Sequence, residues 1–161
     1  MDGRSSSAPT AIECGGTFEP PRPGEPTLTG HFPAAVSTTE QVLSGSVELA
    51  AVNQIVDAVV IPGADLFLVR HGRVVTLPQP QDLVGRRLVL APGEHTTLPA
   101  HATLAACESA ATTALPSGEY ALYARIMLNH DDGSWTAVIG GPWPLELHQG
   151  PQPGEDPPDR R

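Results

Sequence analysis

A tight turn that leads directly into a long alternating strand is the feature that most constrains this fold. The turn occupies residues 115–120 (LPSGEY), and the strand continues over residues 121–128. Apolar side chains recur at every second position, which is the spacing of a strand with one buried face: Tyr120, Leu122, Ala124, Ile126 and Leu128. The other face carries Glu119, Tyr123 and Arg125. The sequence therefore predicts a strand that packs one face on a core.

The tyrosine at the start of this strand predicts a specific structural role. A tyrosine that follows a Pro/Gly turn at the start of a strand is typical of the tyrosine corner of Greek-key β-sandwiches. In that motif the ring packs inward, and the hydroxyl group binds the nearby backbone. We therefore assign structural roles to Pro116, Gly118 and Tyr120.

The rest of the chain repeats short apolar segments between turn residues, as all-β domains do. Residues 65–76 form the strongest hairpin signal, with His71 and Gly72 as the connection. Residues 140–142 (GGP) are expected to break a strand, and residues 102–113 are either a short helix or a loop. The remaining strands are predicted at 27–32, 45–53, 55–61, 87–90, 95–98, 119–128, 135–139 and 143–147.

Proline marks the expected domain boundaries. Nine of the eighteen prolines lie in the first 26 and the last 13 residues, in polar stretches without periodicity. We expect a flexible N-terminal arm over residues 1–26, one β-sandwich domain over residues 27–148, and a disordered tail over residues 149–161. The predicted fold class is all-β, an immunoglobulin-like antiparallel β-sandwich with disordered Pro-rich termini.

Two segments of residues 27–148 carry a family resemblance. The order of strand, residues 88–94 (LVLAPGE), strand, residues 115–120, long strand and hairpin resembles immunoglobulin-like and fibronectin-III-like modules of bacterial exported proteins. It is also similar in layout to the intracellular proteinase-inhibitor type of bacterial sandwich domain. The resemblance implies architecture only. Antibody-type domains have a cysteine two residues after the corner tyrosine; Leu122 stands there, so the usual bridge between sheets is absent.

The charge of the chain restricts its partners. The net charge is −9, and all nine cations are arginines, since there is no lysine. An acidic chain without a cluster of cations does not neutralise phosphates, so we expect no nucleic-acid or membrane-surface partner. A lysine Schiff base is excluded as well.

The two cysteines predict the compartment. Cys14 and Cys107 are expected to form a disulfide across a loop of about 90 residues, which contributes about 4–5 kcal/mol in the chain-entropy model. The alternative is two unpaired thiols in a cytosolic protein. The disulfide implies an oxidising, extracytoplasmic compartment. No signal peptide is visible and no apolar run approaches the ~18 residues of a membrane span, so we expect that a leader was removed or that the gene start is misplaced.

Histidines are the first candidates for a metal site: His31, His71, His95, His101, His130 and His148. None has the HxH or HxxxH spacing that places two ligands on one element, and we expect solvated turn and strand histidines. Residues 129–133 (NHDDG) contain the carboxylates and glycine of a calcium loop without its 12-residue register, so an Asp-Gly turn is expected. No metal ligand and no cofactor is predicted.

Catalytic patterns are also missing from the sequence. It contains neither a GxSxG elbow nor a Gly-rich phosphate loop, and no cation flanks Cys107 to lower its pKa. Trp143 is expected to pack on the core; the alternative is an exposed anchor for a partner. We therefore expect a non-enzyme, with no catalytic and no cofactor-binding residues.

The function expected from the sequence is a non-catalytic exported or cell-envelope module that binds another protein or has a structural role. One alternative is a proteinase inhibitor that uses residues 78–83 or 130–133 as bait. The other is a periplasmic metal carrier that uses His95, His101 and His130. A small-molecule ligand is left open.

Overall fold

The computed structural model describes residues 12–20, 24–61, 64–78, 85–107 and 113–148. In these ranges all regular secondary structure is β-strand, so the protein is all-β as predicted. None of the described elements is a helix with the length and apolarity that a bilayer crossing needs. The strands are β1 (Thr27–His31), β2 (Ala35–Ser37), β3 (Val42–Ala50), β4 (Val56–Val60), β5 (Ala64–Arg70), β6 (Arg73–Val74), β7 (Arg86–Leu90), β8 (His95–Thr103), β9 (Ala105–Ala106), β10 (Thr113–Ala114), β11 (Gly118–Asn129) and β12 (Trp135–His148).

Ten of these strands form one curled sheet, a half-barrel, in the order β1-β3-β8-β5-β11-β12-β2. Strand β4 pairs with β11 and β7, β6 pairs with β5, and β9 and β10 form a separate pair. Strands β5 and β8 are joined in parallel by only two residue pairs, Ala64 with Ala100 and Asp65 with His101. Strands on both sides of this narrow junction contribute to one apolar cluster. The immunoglobulin-like arrangement of two sheets stays a prediction.

The core lies inside the curl and follows the alternation read from the sequence. On β11 the five positions from Tyr120 to Leu128 that were predicted to face inward are all buried. Strand β3 contributes Leu43, Val47 and Leu49 from its alternate positions. Burial of such side chains contributes about 1.5–3 kcal/mol each, so this face holds the sheet in its curl.

A second apolar cluster lies on the outer face of the sheet. Tyr123, which was predicted on the opposite face of β11 from Tyr120, is buried there with Phe67, Val69 and Val74. Ile12 and Phe18 of the N-terminal arm pack against this cluster. The expected flexible arm of residues 1–26 therefore has a docked section, because its apolar side chains cover apolar residues that β5 and β11 turn outward.

The structure differs from the sequence expectations at two further places. Residues 102–106 are neither helix nor loop: β8 runs to Thr103, and β9 follows, whereas residues 108–112 lie outside the described part. Ala100, Ala102 and Leu104 are buried while His101 is exposed, which is the two-residue alternation of a strand. Strand β8 pairs with β3 along this stretch. Tertiary pairing overrides the helix propensity of alanine here.

Gly140, Gly141 and Pro142 do not break their strand. Strand β12 continues through them to His148, and the pairing with β11 shifts register between Leu122 and Ala124. The irregularity is thus a bulge, which bends a strand without ending it. The bend brings β12 close to β1, where a Cβ atom at Gly140 would overlap the carbonyl oxygen of Leu28.

Candidate functional site

Tyr120 connects three parts of the chain at the start of β11. Its hydroxyl group donates a hydrogen bond to the carbonyl oxygen of Pro116, with 2.6 Å between the oxygens. Arg70 on β5 donates from Nη1 to the same hydroxyl at 3.2 Å, and its guanidinium carbon lies 4.9 Å from the ring centroid. Gly118 has a φ of +142°, and a side chain there would overlap the Arg70 guanidinium group. These contacts join the turn before β11 to the end of β5.

Burial affects the ionisation of both tyrosines. It raises the pKa of the Tyr120 hydroxyl, and the neighbouring Arg70 charge and hydrogen bond partly oppose this rise. Burial also raises the pKa of the Tyr123 hydroxyl. Both groups therefore stay protonated to a higher pH in the folded chain than in the unfolded chain.

The Cys14–Cys107 disulfide is present, with 5.9 Å between the two Cα atoms. It fastens the N-terminal arm to the segment that follows β9. Beside it the arm pairs with β6 as an added strand: Gly15 N donates to Val74 O at 2.8 Å, and Val74 N donates to Gly16 O at 2.9 Å. The covalent bond and the backbone pairing thus hold the same section of the arm.

Phe18 fixes the end of this docked section. Its ring contacts Phe67 and Tyr123 edge-on, with centroid distances of 5.0 and 4.7 Å. Phe67 and Tyr123 stack on each other at 5.7 Å. Aromatic pairs in such geometries contribute about 0.5–1.5 kcal/mol beyond their buried area. The docked section of the arm is therefore anchored at both ends, by Cys14 and by Phe18.

A cleft of about 440 Å³ lies between the arm and β12, and we call it the arm cleft. Its apolar lining consists of Ile12, Phe18, Val74, Ala137 and Ile139. Arg125 also lines it and forms an ion pair with Asp65 at 3.1 Å. Two exposed carboxylates of the arm, Glu13 and Glu19, complete it. The cleft is therefore apolar inside and acidic on the arm side.

A second cleft of about 420 Å³ lies between the start of β1 and β12, and we call it the seam cleft. Residues 24–28 form one wall and residues 137–141 the other, with Pro20 beside them. Ala137 and Ile139 line both clefts. The same stretch of β12 therefore separates the arm cleft from the seam cleft.

The histidines named as metal-carrier candidates do not meet. His95 and His101 lie six residues apart on β8, which is about 20 Å at the rise of a strand. His130 follows β11 and hydrogen-bonds Thr136 across the hairpin at 2.7 Å. His101 contacts the Ser44 hydroxyl group at 3.1 Å. No three His, Cys, Asp or Glu side chains in the described ranges form a metal-binding group.

The sequence missed one histidine cluster. Glu48 on β3 lies between His95 on β8, at 2.7 Å, and His31 on β1, at 3.8 Å. The three residues come from three strands and are diagonal neighbours in the sheet, so no local spacing indicates them. The other two histidines lie elsewhere, His71 with a φ of +54° in the β5–β6 turn and His148 at the end of β12.

The carboxylates of the turn at residues 130–133 form hydrogen bonds with other groups of the protein. Asp131 accepts a hydrogen bond from Arg87 at 2.7 Å, and Asp132 accepts bonds from the backbone and hydroxyl group of Ser134 at 2.9 and 2.6 Å. The bonds from Ser134 lower the pKa of Asp132. In the other bait loop, residues 79–83 lie outside the described part.

The two tryptophans have different surroundings. Trp143 is half-buried against the core, with its ring centroid 5.8 Å from that of Phe32. Trp135, for which no separate role was predicted, is 38% exposed at the start of β12.

Comparison with known proteins identifies no family. No protein-family model matches the chain, and no curated protein matches it. Among solved structures the chain is similar to Spo0M, a sporulation control protein from Bacillus subtilis, with a TM-score of 0.43 and 15% sequence identity. The match covers 80% of this chain and 51% of that one, so the chain spans about half the length of that protein. A likeness at this TM-score carries no argument about function.

Proposed function

We propose that this protein is a non-catalytic exported or cell-envelope module, with an immunoglobulin-like β-fold, that binds another protein. The observation that carries the proposal is the Cys14–Cys107 disulfide, which fastens the arm over the sheet. Disulfides persist in oxidising compartments and are rare in the cytosol. The covalent bond therefore supports an extracytoplasmic location.

The arm cleft supports the binding role. The disulfide and the β6 pairing hold one wall of the cleft, and β12 forms the other. A preformed wall lowers the conformational entropy that the protein itself loses on binding, and clefts with apolar linings and a few polar groups are the usual form of binding sites. We therefore assign the docked section of the arm to the binding surface.

The two alternatives have less support. A metal carrier would need His95, His101 and His130 around one ion at about 2.0–2.2 Å, and these residues lie on separate parts of the sheet. For an inhibitor, the bait at residues 130–133 is a closed hairpin turn, in which Gly133 N donates to His130 O at 2.9 Å. We therefore favour the binding module.

Intact-mass spectrometry of native material, alkylated without reduction, tests the compartment. We expect no alkylated cysteine, a gain of two labels after reduction, and a cross-linked peptide pair that contains Cys14 and Cys107. A Cys14→Ser/Cys107→Ser variant, alkylated in parallel, gives the unlabelled reference mass. Label on both cysteines before reduction would contradict the extracytoplasmic proposal.

A further inference from the structure

We propose that the arm cleft binds an extended basic peptide, which adds a strand to the free edge of β12 over residues 135–139. This inference rests on the proposed function, because it names the class of partner that the binding surface takes. The argument uses the pairing of β12, the side chains beside its edge and the charge of the arm.

One edge of β12 is without a hydrogen-bonded strand along most of its length, and β1 approaches β12 at Gly140. Strand β11 pairs along one side, and β2 pairs on the other side only at residues 146–148. No described strand is hydrogen-bonded to that other side over residues 135–145. Free backbone groups on a strand edge are a template for the addition of another strand.

The register of the hairpin shows which backbone groups face this edge. His130 N donates to Ser134 O at 2.9 Å, which closes the turn. In an antiparallel ladder, hydrogen-bonded and non-hydrogen-bonded pairs alternate from that point. The amides and carbonyls of Thr136 and Val138 therefore point to β11, and those of Trp135, Ala137 and Ile139 point to the free edge.

The two clefts lie on either side of these free groups. Ala137 and Ile139 line both the arm cleft and the seam cleft. The side chains on the outer face of this stretch are apolar, and Trp135 is 38% exposed. A peptide strand beside β12 would place alternate apolar side chains against Ile139 and Phe18 in the arm cleft.

Charge decides between a peptide and a second copy of this chain. Glu13 and Glu19 are exposed on the arm wall of the cleft, and the chain carries a net charge of −9. Two copies paired through β12 would bring these carboxylates toward each other, which disfavours the pairing. A basic partner gains from the same charges, so we commit to an extended peptide that alternates basic and apolar residues.

Fluorescence anisotropy with synthetic peptides tests the proposal. The probe is a fluorescein-labelled nine-residue peptide that alternates arginine and valine; the control peptide alternates glutamate and valine. We expect micromolar binding of the arginine peptide by the disulfide-bonded full chain, and at least tenfold weaker binding of the glutamate peptide. Equal binding of both peptides, or binding of neither, overturns the proposal.

Protein variants separate the backbone contribution from the charge contribution. Ala137→Pro removes an amide at the free edge and no bond to β11, so we expect at least a tenfold loss of affinity. Glu13→Arg/Glu19→Arg should also weaken binding tenfold, whereas Glu40→Arg/Glu146→Arg, with the same change of net charge outside both clefts, should leave it within twofold. Unchanged binding by the first two variants contradicts the assignment.

A modified probe covers the case in which the proline variant does not fold. The arginine–valine peptide with every second backbone amide N-methylated loses the donors for strand pairing, and we expect at least tenfold weaker binding to the unmodified protein. Equal affinity contradicts strand addition.

Sedimentation velocity tests whether a second copy of the chain occupies this edge instead. A dimer that Ala137→Pro converts to monomer would show a second copy there and overturn the peptide proposal. Failure of peptide binding leaves the disulfide result unaffected, so the two proposals fail separately.

Discussion

At the scale of single residues, one hydroxyl group joins elements that are far apart in sequence. Tyr120 donates to Pro116, four residues before it, and accepts from Arg70, fifty residues before it. The ring itself is buried in the main core. The corner therefore fixes the turn before β11 and also connects this turn to the end of β5.

We predict that Tyr120→Phe destabilises the fold by about 1–2 kcal/mol. The phenyl ring still fills the core, but the acceptor at Pro116 and the donor at Arg70 lose their partner, and a net contribution of about 0.5–1.5 kcal/mol per hydrogen bond sets the size. Urea unfolding followed by circular dichroism measures the loss. The matched control is Tyr123→Phe, because no described residue hydrogen-bonds the Tyr123 hydroxyl group, and it should cost less than half as much. Equal effects of the two variants would refute the role given to the Tyr120 hydroxyl group.

At the scale of elements, the approach of β12 to β1 depends on glycine. A Cβ atom at Gly140 would overlap Leu28 O and would lie 2.9 Å from the Trp143 ring. The carbonyl oxygen belongs to the backbone of another strand and cannot move without β1. The bulge in β12 and the absence of a side chain at Gly140 together let the sheet curl.

We predict that Gly140→Ala destabilises the protein by about 2–3 kcal/mol, the upper range for overpacking, because β1 must move away from β12. Gly24→Ala is the matched control, since nothing lies within 4 Å of its Cβ position, and its effect should stay within about 0.5 kcal/mol. Thermal and urea unfolding of both variants measure the difference. A neutral Gly140→Ala variant would show that β1 is free to shift.

The elements also show where sequence patterns succeed and fail. The period of two in β11 predicted its buried face correctly, because burial on one side imposes that period. The alanines of residues 102–106 gave no such signal, since they fit a helix as well as a strand, and pairing with β3 decided the outcome. Whether residues 140–142 end the strand or form a bulge could not be read locally, because the pairing with β11 on both sides of them decides it.

At the scale of the whole molecule, the lack of lysine simplifies the response to alkaline pH. Tyr120 and Tyr123 are the only two tyrosines, and both cysteines are in the disulfide. Arginine loses its proton only above about pH 12. The two tyrosines are therefore the side chains that lose protons near pH 10.

We predict that stability is constant from pH 8 to about pH 10 and falls above it. Burial raises the pKa of both hydroxyl groups in the folded chain, so the unfolded chain releases these protons first and is stabilised relative to the folded chain as the pH rises. The slope is at most about 1.4 kcal/mol per pH unit for each tyrosine. Urea unfolding from pH 8 to pH 11, with tyrosinate absorbance, measures it. The Tyr120→Phe/Tyr123→Phe variant should lose most of this slope, and an equal slope in that variant would assign it to other groups.

By itself, the sequence determined the all-β class, the buried face of β11 and the pairing of Cys14 with Cys107. These features follow from local spacing, or from there being only two cysteines to join. The tertiary structure alone decided the curl of the sheet, the docking of Phe18 on Phe67 and Tyr123, and the free edge of β12 between two clefts. Each of these depends on residues that lie far apart in the chain and meet only when the strands pair, so no local pattern records them. The alternation read at Tyr120 thus predicted a strand, and only the fold showed which neighbours that strand has.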